Sequence, residues 1–204
     1  ATEWHTLVLA KHDYASGTNQ YPRPDFSVNA AFPYVKPRWR VNTGFTIAST
    51  PARWQSLAIV GDASGTVYAF ALDSGLVRWK FKTRNAVYST PDAANDRVVF
   101  ASTDGNVYCL KSASGKPVWK FKTDRPIVAC PRIADGLVYI GSSEGKFRGL
   151  SLADGKLVWE FSGVQGFVET RPLMHGGKVI FGGASNASPD VQLQLDDLIV
   201  WTVQ

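Results

Sequence analysis

The chain has 204 residues, of which 45% are hydrophobic and 19% are charged, and its formal net charge is +5. This composition is typical of a folded globular domain and argues against a disordered chain. The lysines and arginines are scattered and form no run, so no nucleic-acid partner is predicted, and no stretch of apolar residues is long enough to predict a membrane span.

The first 36 residues lack the repeat that organises the rest of the chain. Prolines crowd the stretch Tyr21–Trp39, and such a segment favours extended backbone over helix. The sequence therefore predicts an N-terminal linker over residues 1–36 and a repeat region over residues 37–204.

From residue 37 onward, three residue types recur with a period close to 40. The tryptophans of this series are Trp39, Trp79, Trp119, Trp159 and Trp201. The glycines form two series, which are Gly65, Gly105, Gly145 and then Gly75, Gly115, Gly155. The prolines are Pro51, Pro91, Pro131 and Pro172. A fixed period of this length is the signature of a repeat architecture.

Each repeat unit contains four short β-rich runs that are separated by glycine, asparagine and aspartate turns. The units span residues 45–81, 85–121, 125–161 and 165–203. No stretch combines helical periodicity with caps, so almost no helix is predicted. The fourth unit is degenerate, because Asp196 and Asp197 stand where earlier units have a glycine turn, and Leu198–Trp201 is interpreted as its tryptophan strand.

Four-stranded sheets that repeat radially are the blades of a propeller. In that geometry the glycines supply positive φ in the hairpin turns, and the prolines fall near strand ends, where a missing N–H matters least. The five tryptophans are predicted to dock each blade against its neighbour. Trp79, Trp119 and Trp159 are expected to be mostly buried, with their indole N–H groups donating to backbone carbonyls.

The succession of glycine turn, aromatic-rich strand, second glycine turn and Trp-x-Phe strand, as in Gly105–Phe121, resembles the PQQ-type (quinoprotein-like) β-propeller repeat. The resemblance covers residues 45–162 well and residues 163–183 in part. It implies an all-β, quinoprotein-like β-propeller of about four four-stranded blades. Propellers of this family usually close with more blades than four, so a partial ring is expected.

A partial ring exposes apolar inter-blade faces, which soluble monomers avoid. The favoured expectation is a fragment of a longer chain that carries further blades. A homodimer that closes the propeller ring comes second, and closure by four blades alone comes third.

The leading segment Tyr21–Trp39 is similar to a junction in secreted bacterial calcineurin-like metallophosphoesterases that carry a C-terminal quinoprotein-like propeller. This resemblance implies a secreted or periplasmic protein whose catalytic residues lie outside this chain. The chain's own histidines are only His5, His12 and His175, and the metal-binding turns of such enzymes are missing from its sequence.

The PQQ-type repeat also raises the alternative of a quinoprotein oxidoreductase. Enzymes of that class carry adjacent cysteines and a calcium site, whereas Cys109 and Cys130 are far apart in the sequence and the acidic residues are scattered. No metal and no cofactor, PQQ included, is therefore predicted. Two free thiols are the expected state, with a disulfide left open. The string Gly141–Gly145 matches a nucleophile elbow, but a strand–turn–strand hairpin is predicted there.

One set of charged residues suggests a binding site. Arg53, Arg132 and Arg171 lie within two residues of a repeat proline, and Glu169 is beside them. If the proline strands are the innermost of each blade, these side chains surround the mouth of the central channel and favour an anionic ligand or an acidic protein loop. The alternative is that they face solvent.

These observations predict a non-catalytic binding or scaffold domain with a protein or glycan partner. The first alternative is an accessory domain of a metallophosphoesterase, and the second is a quinoprotein oxidoreductase. No catalytic residue is assigned within the chain.

Overall fold

The fold is described from a computed structural model, which defines residues 38–163, 166–185 and 197–202, with side chains up to residue 183. The chain divides into two compact units, Ala1–Pro37 and Arg38–Gln204. All described residues belong to the second unit, so the predicted linker over residues 1–36 lies outside them. The described part contains strands and no helix, which confirms the predicted all-β class.

Three consecutive antiparallel sheets of four strands each follow the sequence order, and each is one blade. The strands of blade 1 are β1 (Ala52–Trp54), β2 (Leu57–Gly61), β3 (Thr66–Ala71) and β4 (Val77–Lys82). Those of blade 2 are β5 (Asp92–Ala94), β6 (Arg97–Ser102), β7 (Asn106–Lys111) and β8 (Pro117–Lys122). Those of blade 3 are β9 (Arg132–Ala134), β10 (Leu137–Gly141), β11 (Phe147–Ser151) and β12 (Leu157–Phe161).

The fourth blade is built differently from the others. Its strands are β13 (Gly166–Phe167), β14 (Leu173–His175), β15 (Lys178–Ser185) and β16 (Asp197–Thr202). Trp201 in β16 pairs with Val179, just as Leu150 on the third strand of blade 3 pairs with Val138. The segment Leu198–Trp201 is therefore the third strand of its blade, and its prediction as the tryptophan strand is wrong.

The length of one connection explains this error. Residues 186–196 separate β15 from β16, whereas only residues 62–65 separate β2 from β3. Because more residues separate β15 from β16, the β-rich run Leu198–Trp201 takes the third position of its blade and not the fourth. Sequence spacing alone cannot distinguish this shift from a preserved register. Trp201 consequently does not occupy the blade-docking position of Trp159.

Both faces of the sheet of blade 2 are buried, because this blade is packed between blades 1 and 3. In blade 2, Val98 and Phe100 pack against blade 1 beside Ile59. The alternate residue Val99 packs against blade 3 beside Ile140. This arrangement explains why the second strands read as continuous apolar runs and not as an alternation of apolar and polar residues.

The glycines and prolines occupy the positions expected from the repeat. Gly65 and Gly75 have φ values of +88° and +69° in the two hairpin turns of blade 1, a region that other residues rarely adopt. Pro51, Pro91 and Pro131 directly precede the first strands of their sheets, and Pro172 directly precedes β14. A proline there removes no hydrogen bond from the sheet.

The tryptophans connect neighbouring blades through a repeated pair of contacts. The indole nitrogens of Trp39, Trp79 and Trp119 donate to the carbonyls of Leu72, Ser112 and Leu152, at 2.9, 2.8 and 2.8 Å. Each ring also covers a turn glycine of the following blade. Through these contacts, each of the three tryptophans reaches the following blade.

The burial of the tryptophans is less uniform than the sequence predicts. Trp79 is buried, but Trp119 and Trp159 are half-buried, although all three lie on the outermost strands of their blades. Trp159 packs beside Gly149 and Tyr139 within its own blade.

Candidate binding site at the linker end of the blades

The inner strands of the blades lie side by side, with β5 contacting both β1 and β9. These strands begin directly after the repeat prolines. Because the strands alternate in direction, the β2–β3 type of turn and the blade-to-blade linkers lie at the end where the inner strands begin. We call this the linker end, and the opposite end, which carries the other two hairpin turns of each blade, the turn end.

A cluster of ion pairs at the linker end is centred on Asp92, the first residue of β5. One carboxylate oxygen of Asp92 lies 3.0 Å from Nη2 of Arg171, and the other lies 3.7 Å from Nη1 of Arg132. The backbone N–H of Ile133 donates to the second oxygen at 2.8 Å. Asp92 thereby joins blade 2 to blades 3 and 4.

The cluster carries an excess of positive charge that remains open to solvent. Two guanidinium groups share one carboxylate, and the side chains of Arg132 and Arg171 are each 42% exposed, while that of Asp92 is 14% exposed. A guanidinium has five N–H donors in a planar fork. The two arginines therefore keep donors that can bind a further carboxylate or phosphate group.

The structure separates the other two predicted site residues from this cluster. Arg53 is exposed and donates from Nε to the carbonyl of Gln55 at 3.2 Å. Together with Arg38 and Asp73 it lines a shallow pocket of about 430 Å³ near the first hairpin turn of blade 1. Glu169 is exposed and accepts a hydrogen bond from Ser143 Oγ at 3.2 Å. The predicted group of four thus contributes two residues, Arg132 and Arg171, to the observed cluster.

Asp92 was not predicted from the sequence, although a signal for it exists. It occupies the same repeat position in blade 2, directly after the proline, as Arg132 occupies in blade 3. Opposite charges at one repeat position of adjacent blades predict an ion pair between neighbouring inner strands. Arg171, which was predicted at the channel mouth together with Arg132, reaches Asp92 from two blades away.

A row of backbone contacts runs along the same end of the blades. The N–H of Thr50 donates to Thr90 Oγ1 at 3.1 Å, and the N–H of Thr90 donates to Cys130 Sγ at 3.2 Å. Cys130 and Cys109 are both free thiols. Burial raises the pKa of the Cys109 thiol to about 12, so this residue is an inert part of the core.

A second charged cluster lies inside blade 3 and is structural. Arg148 is almost fully buried, and it forms ion pairs with Glu144 and with Glu160, the latter at 2.8 Å. Burial opposes the charge of Glu160, but hydrogen bonds from Lys146 and Arg148 outweigh it, so the pKa of Glu160 is lowered. The ion-pair partners of Arg148 are thus supplied within the blade.

The described residues offer no arrangement for metal chemistry. Within residues 38–163, 166–185 and 197–202, no group of three potential metal ligands occurs. His175 is exposed at the end of β14, whereas His5 and His12 lie outside the described residues. The string Gly141–Gly145 forms the end of β10 and a hairpin turn, as predicted. No helix in the described part is long and apolar enough to cross a membrane.

The blade structure and its tryptophan junctions define a repeat protein of the propeller class, and the comparisons identify its family. Residues 36–107 and 63–191 match the family of outer membrane protein assembly factor BamB. These overlapping matches cover more than half of the chain, so the chain belongs to this family of PQQ-type repeats. No curated protein gave a match.

Solved structures confirm the propeller fold. BamB from Moraxella catarrhalis matches with a TM-score of 0.65 and 23% identity, over 72% of this chain and 48% of that one. The computationally designed protein Ika4 matches with a TM-score of 0.66 and 17% identity, over 80% of this chain and 94% of that one. The quinohemoprotein alcohol dehydrogenase ADHIIG from Pseudomonas putida HK5 matches with a TM-score of 0.63 and 15% identity, over 72% and 29%.

The matches to solved structures are limited in coverage and in sequence identity. The chain spans about half the length of the Moraxella BamB that it matches. The identities are low, so the likeness to BamB and to the alcohol dehydrogenase is one of fold.

Proposed function

We propose that this chain is a non-catalytic, protein-binding scaffold of the bacterial cell envelope, and that the linker end of its blades is the binding surface. Membership of the assembly-factor family supports a role in binding other proteins, in a secreted or periplasmic setting. The observation that carries the proposal is the Asp92–Arg132–Arg171 cluster, which presents solvent-exposed guanidinium donors on a rigid support.

The chemistry of the cluster selects an acidic protein segment as its partner. An incoming carboxylate can share the two arginines with Asp92, because each guanidinium uses only part of its fork on that residue. A half-exposed site of this kind contributes mainly to specificity and to the rate of association. The binding is therefore expected to weaken as salt is added.

A fluorescently labelled poly-glutamate peptide provides a defined probe for this site. The double substitution Arg132→Glu and Arg171→Glu should weaken its binding by about tenfold or more, which corresponds to about 1.4 kcal/mol. Asp92→Asn should strengthen binding, because it releases both arginines from their carboxylate. Fluorescence anisotropy at two salt concentrations measures each affinity.

The matched control is the pair Lys111→Glu and Lys178→Glu, which makes the same change in net charge at the turn end. Both lysines are exposed. An equal loss of affinity in both double variants would mean that only overall charge matters, and would contradict the proposal. Absence of binding by the unaltered chain at low salt would contradict it as well.

The accessory role beside a metallophosphoesterase domain depends on residues ahead of the repeats and stays a prediction. The quinoprotein oxidoreductase alternative has only a likeness of fold behind it, through the match to the alcohol dehydrogenase.

A further inference from the structure

The linkers that lead into blades 2 and 3 alternate between buried and accessible residues. In residues 87–92 and again in residues 127–132, every second residue is buried and the residues between are at least partly exposed. The accessible residues of the first stretch are Tyr88, Thr90 and Asp92. Those of the second stretch are Val128, Cys130 and Arg132. An alternation with a period of two places the accessible side chains on one side of an extended chain, so each linker presents a column of three side chains.

A hydrogen bond sets the two columns side by side. The N–H of Thr90 donates to Sγ of Cys130 at 3.2 Å, across an offset of 40 residues. The ion pair of Asp92 with its counterpart in the next blade has the same offset. Residues at one repeat position are thus neighbours on adjacent linkers, and by this offset Tyr88 lies beside Val128.

Tyr88 is an exposed aromatic residue on a rigid support. It is 41% exposed, whereas Val87 before it is fully buried against Gly61, where even a Cβ would collide with the valine. On the other side, the hydroxyl of Ser89 accepts from the N–H of Ala101 at 2.8 Å and donates to its carbonyl at 2.9 Å. A residue whose backbone is fixed on both sides loses little freedom when it binds a partner.

Val128 extends this apolar surface onto the next linker. It is half-buried, and Ile127 before it is fully buried in the core. In the described part of the chain, neither Tyr88 nor Val128 belongs to the apolar clusters that hold the blades together. The third linker has exposed Glu169 at the same repeat position, so the apolar surface ends after two linkers.

The apolar pair lies close to the Asp92 cluster, because both belong to the same two columns. Four residues lead from Tyr88 to Asp92, and four lead from Val128 to Arg132. At about 3.3 Å per residue of extended chain, the apolar pair lies within about 13 Å of the ion pairs. A single extended segment of about five residues can therefore contact the apolar pair and the arginines together.

From this arrangement we infer that Tyr88 and Val128 form an apolar subsite of the linker end. The partner is then an acidic protein segment that carries an aromatic or aliphatic side chain about four residues from its carboxylate. This inference rests on the proposed function, because it takes Arg132 and Arg171 as the site of the carboxylate. Charge complementarity selects the acidic segment, and the apolar pair selects among such segments. Tyrosine and arginine are also enriched among the residues that dominate the binding energy of interfaces.

Two fluorescently labelled peptides test the inference. Their sequences are Phe-Gly-Ser-Gly-Glu-Glu and Ser-Gly-Ser-Gly-Glu-Glu, each with an acetylated amino terminus and the label at the carboxyl terminus. The peptides have the same charge and differ only in the side chain that would reach the apolar pair. The unaltered chain should bind the phenylalanine peptide about fivefold more tightly, which corresponds to about 1 kcal/mol. Fluorescence anisotropy measures both affinities.

Tyr88→Ser should abolish this preference, so that both peptides bind the variant with equal affinity. Leu157→Ser is the matched control, because Leu157 is 47% exposed but lies on the outermost strand β12, away from the linker end. The control variant should keep the fivefold preference. Circular dichroism checks that both variants fold.

The double substitution Arg132→Glu and Arg171→Glu separates this inference from the proposed function. It should weaken the binding of both peptides. If it does so, but the unaltered chain binds the two peptides equally or the preference survives Tyr88→Ser, the apolar subsite is refuted and the acidic site stands. If the double arginine variant binds both peptides as tightly as the unaltered chain, or if the unaltered chain binds neither, the proposed function and the inference that rests on it both fail.

Discussion

A pair made of one tryptophan and one distant glycine is the smallest unit of this fold. The indole of Trp79 covers Gly115, where a Cβ would lie 2.7 Å from the ring, and its N–H reaches the carbonyl of Ser112. Gly115 also has a φ of +67°. Glycine is required there for two separate reasons, the backbone conformation and the approach of the ring.

Comparison of two alanine substitutions separates these reasons. Gly115→Ala and Gly136→Ala both place a side chain at positive φ, which costs about 1–2 kcal/mol. Only at Gly115 does the new methyl group collide with a tryptophan, whereas the space around Gly136 is open. We expect Gly115→Ala to lower the free energy of unfolding by at least about 2 kcal/mol more than Gly136→Ala. Urea denaturation measures both, and equal losses would contradict the role of the ring contact.

Asp104 provides a residue-scale test of pH dependence. Burial opposes its charge, but hydrogen bonds from Asn106, Tyr108 and the N–H of Arg84 outweigh this, so the pKa of Asp104 is lowered. The ionised form therefore stabilises the fold above the unfolded pKa, near about 3.9, and this contribution is lost as the pH falls through the lower folded pKa.

Asp104→Asn should consequently make the free energy of unfolding less dependent on pH in the acidic range. Between neutral pH and pH of about 3, the free energy of unfolding should fall less in the variant than in the unaltered chain. Urea denaturation across this range measures the difference. A larger or identical fall in the variant would show that the hydrogen bonds to Asp104 do not favour its charged form.

At the scale of the strands, blades 2 and 3 carry different polar pairs at the same repeat positions. In blade 2, the hydroxyl of Tyr108 donates to Asp104 at 2.7 Å, and its ring meets Phe81 of blade 1 edge-on at 5.5 Å. In blade 3, the same repeat positions hold Arg148 and Glu144, and the guanidinium lies 5.8 Å from the ring of Phe121. The two pairs are equivalent polar anchors at successive junctions.

This equivalence predicts that the pair of blade 2 can replace the pair of blade 3. Arg148→Ala removes the ion-pair partner of Glu144, whose side chain is only 10% exposed, and should cost about 3–5 kcal/mol. Glu144→Asp combined with Arg148→Tyr should recover most of this loss, because it rebuilds the contact seen between Asp104 and Tyr108. Urea denaturation of the two variants measures the recovery. A double variant as unstable as Arg148→Ala would refute the equivalence.

The strands of the first three blades follow from sequence because several local signals agree. Glycine turns, prolines ahead of the inner strands and the tryptophan period all indicate the same register. Blade 4 was misread because β16 follows a long connection, so the position of Trp201 depends on its pairing with Val179 and not on spacing. Local patterns predict that a strand exists better than they predict which neighbour it pairs with.

The candidate site was only partly predictable for a related reason. The proline positions placed Arg132 and Arg171 at the beginning of inner strands, and the structure brings the two together. Asp92 escaped notice because its partner lies in the next blade, and Arg53 donates to the carbonyl of Gln55 and not to the cluster. Contacts that cross from blade to blade depend on the tertiary arrangement.

At the scale of the whole molecule, three of the apolar clusters depend on the contact between two neighbouring blades. The apolar clusters lie between neighbouring blades, and the Asp92 cluster requires blades 2, 3 and 4 to stand side by side. Repeat proteins of this kind obtain their stability from the interfaces between units. The proposed binding surface therefore depends on the contacts of the tryptophans that join neighbouring blades.

Hydrogen exchange of the indole N–H groups, followed by NMR, tests these junctions most directly. The chain has seven tryptophans, and the account predicts that the indole protons of Trp39, Trp79 and Trp119 exchange slowly, because each is bonded to a carbonyl of the following blade. Exchange of these three protons as fast as that of a free indole would contradict the blade junctions, and with them the binding surface that they support.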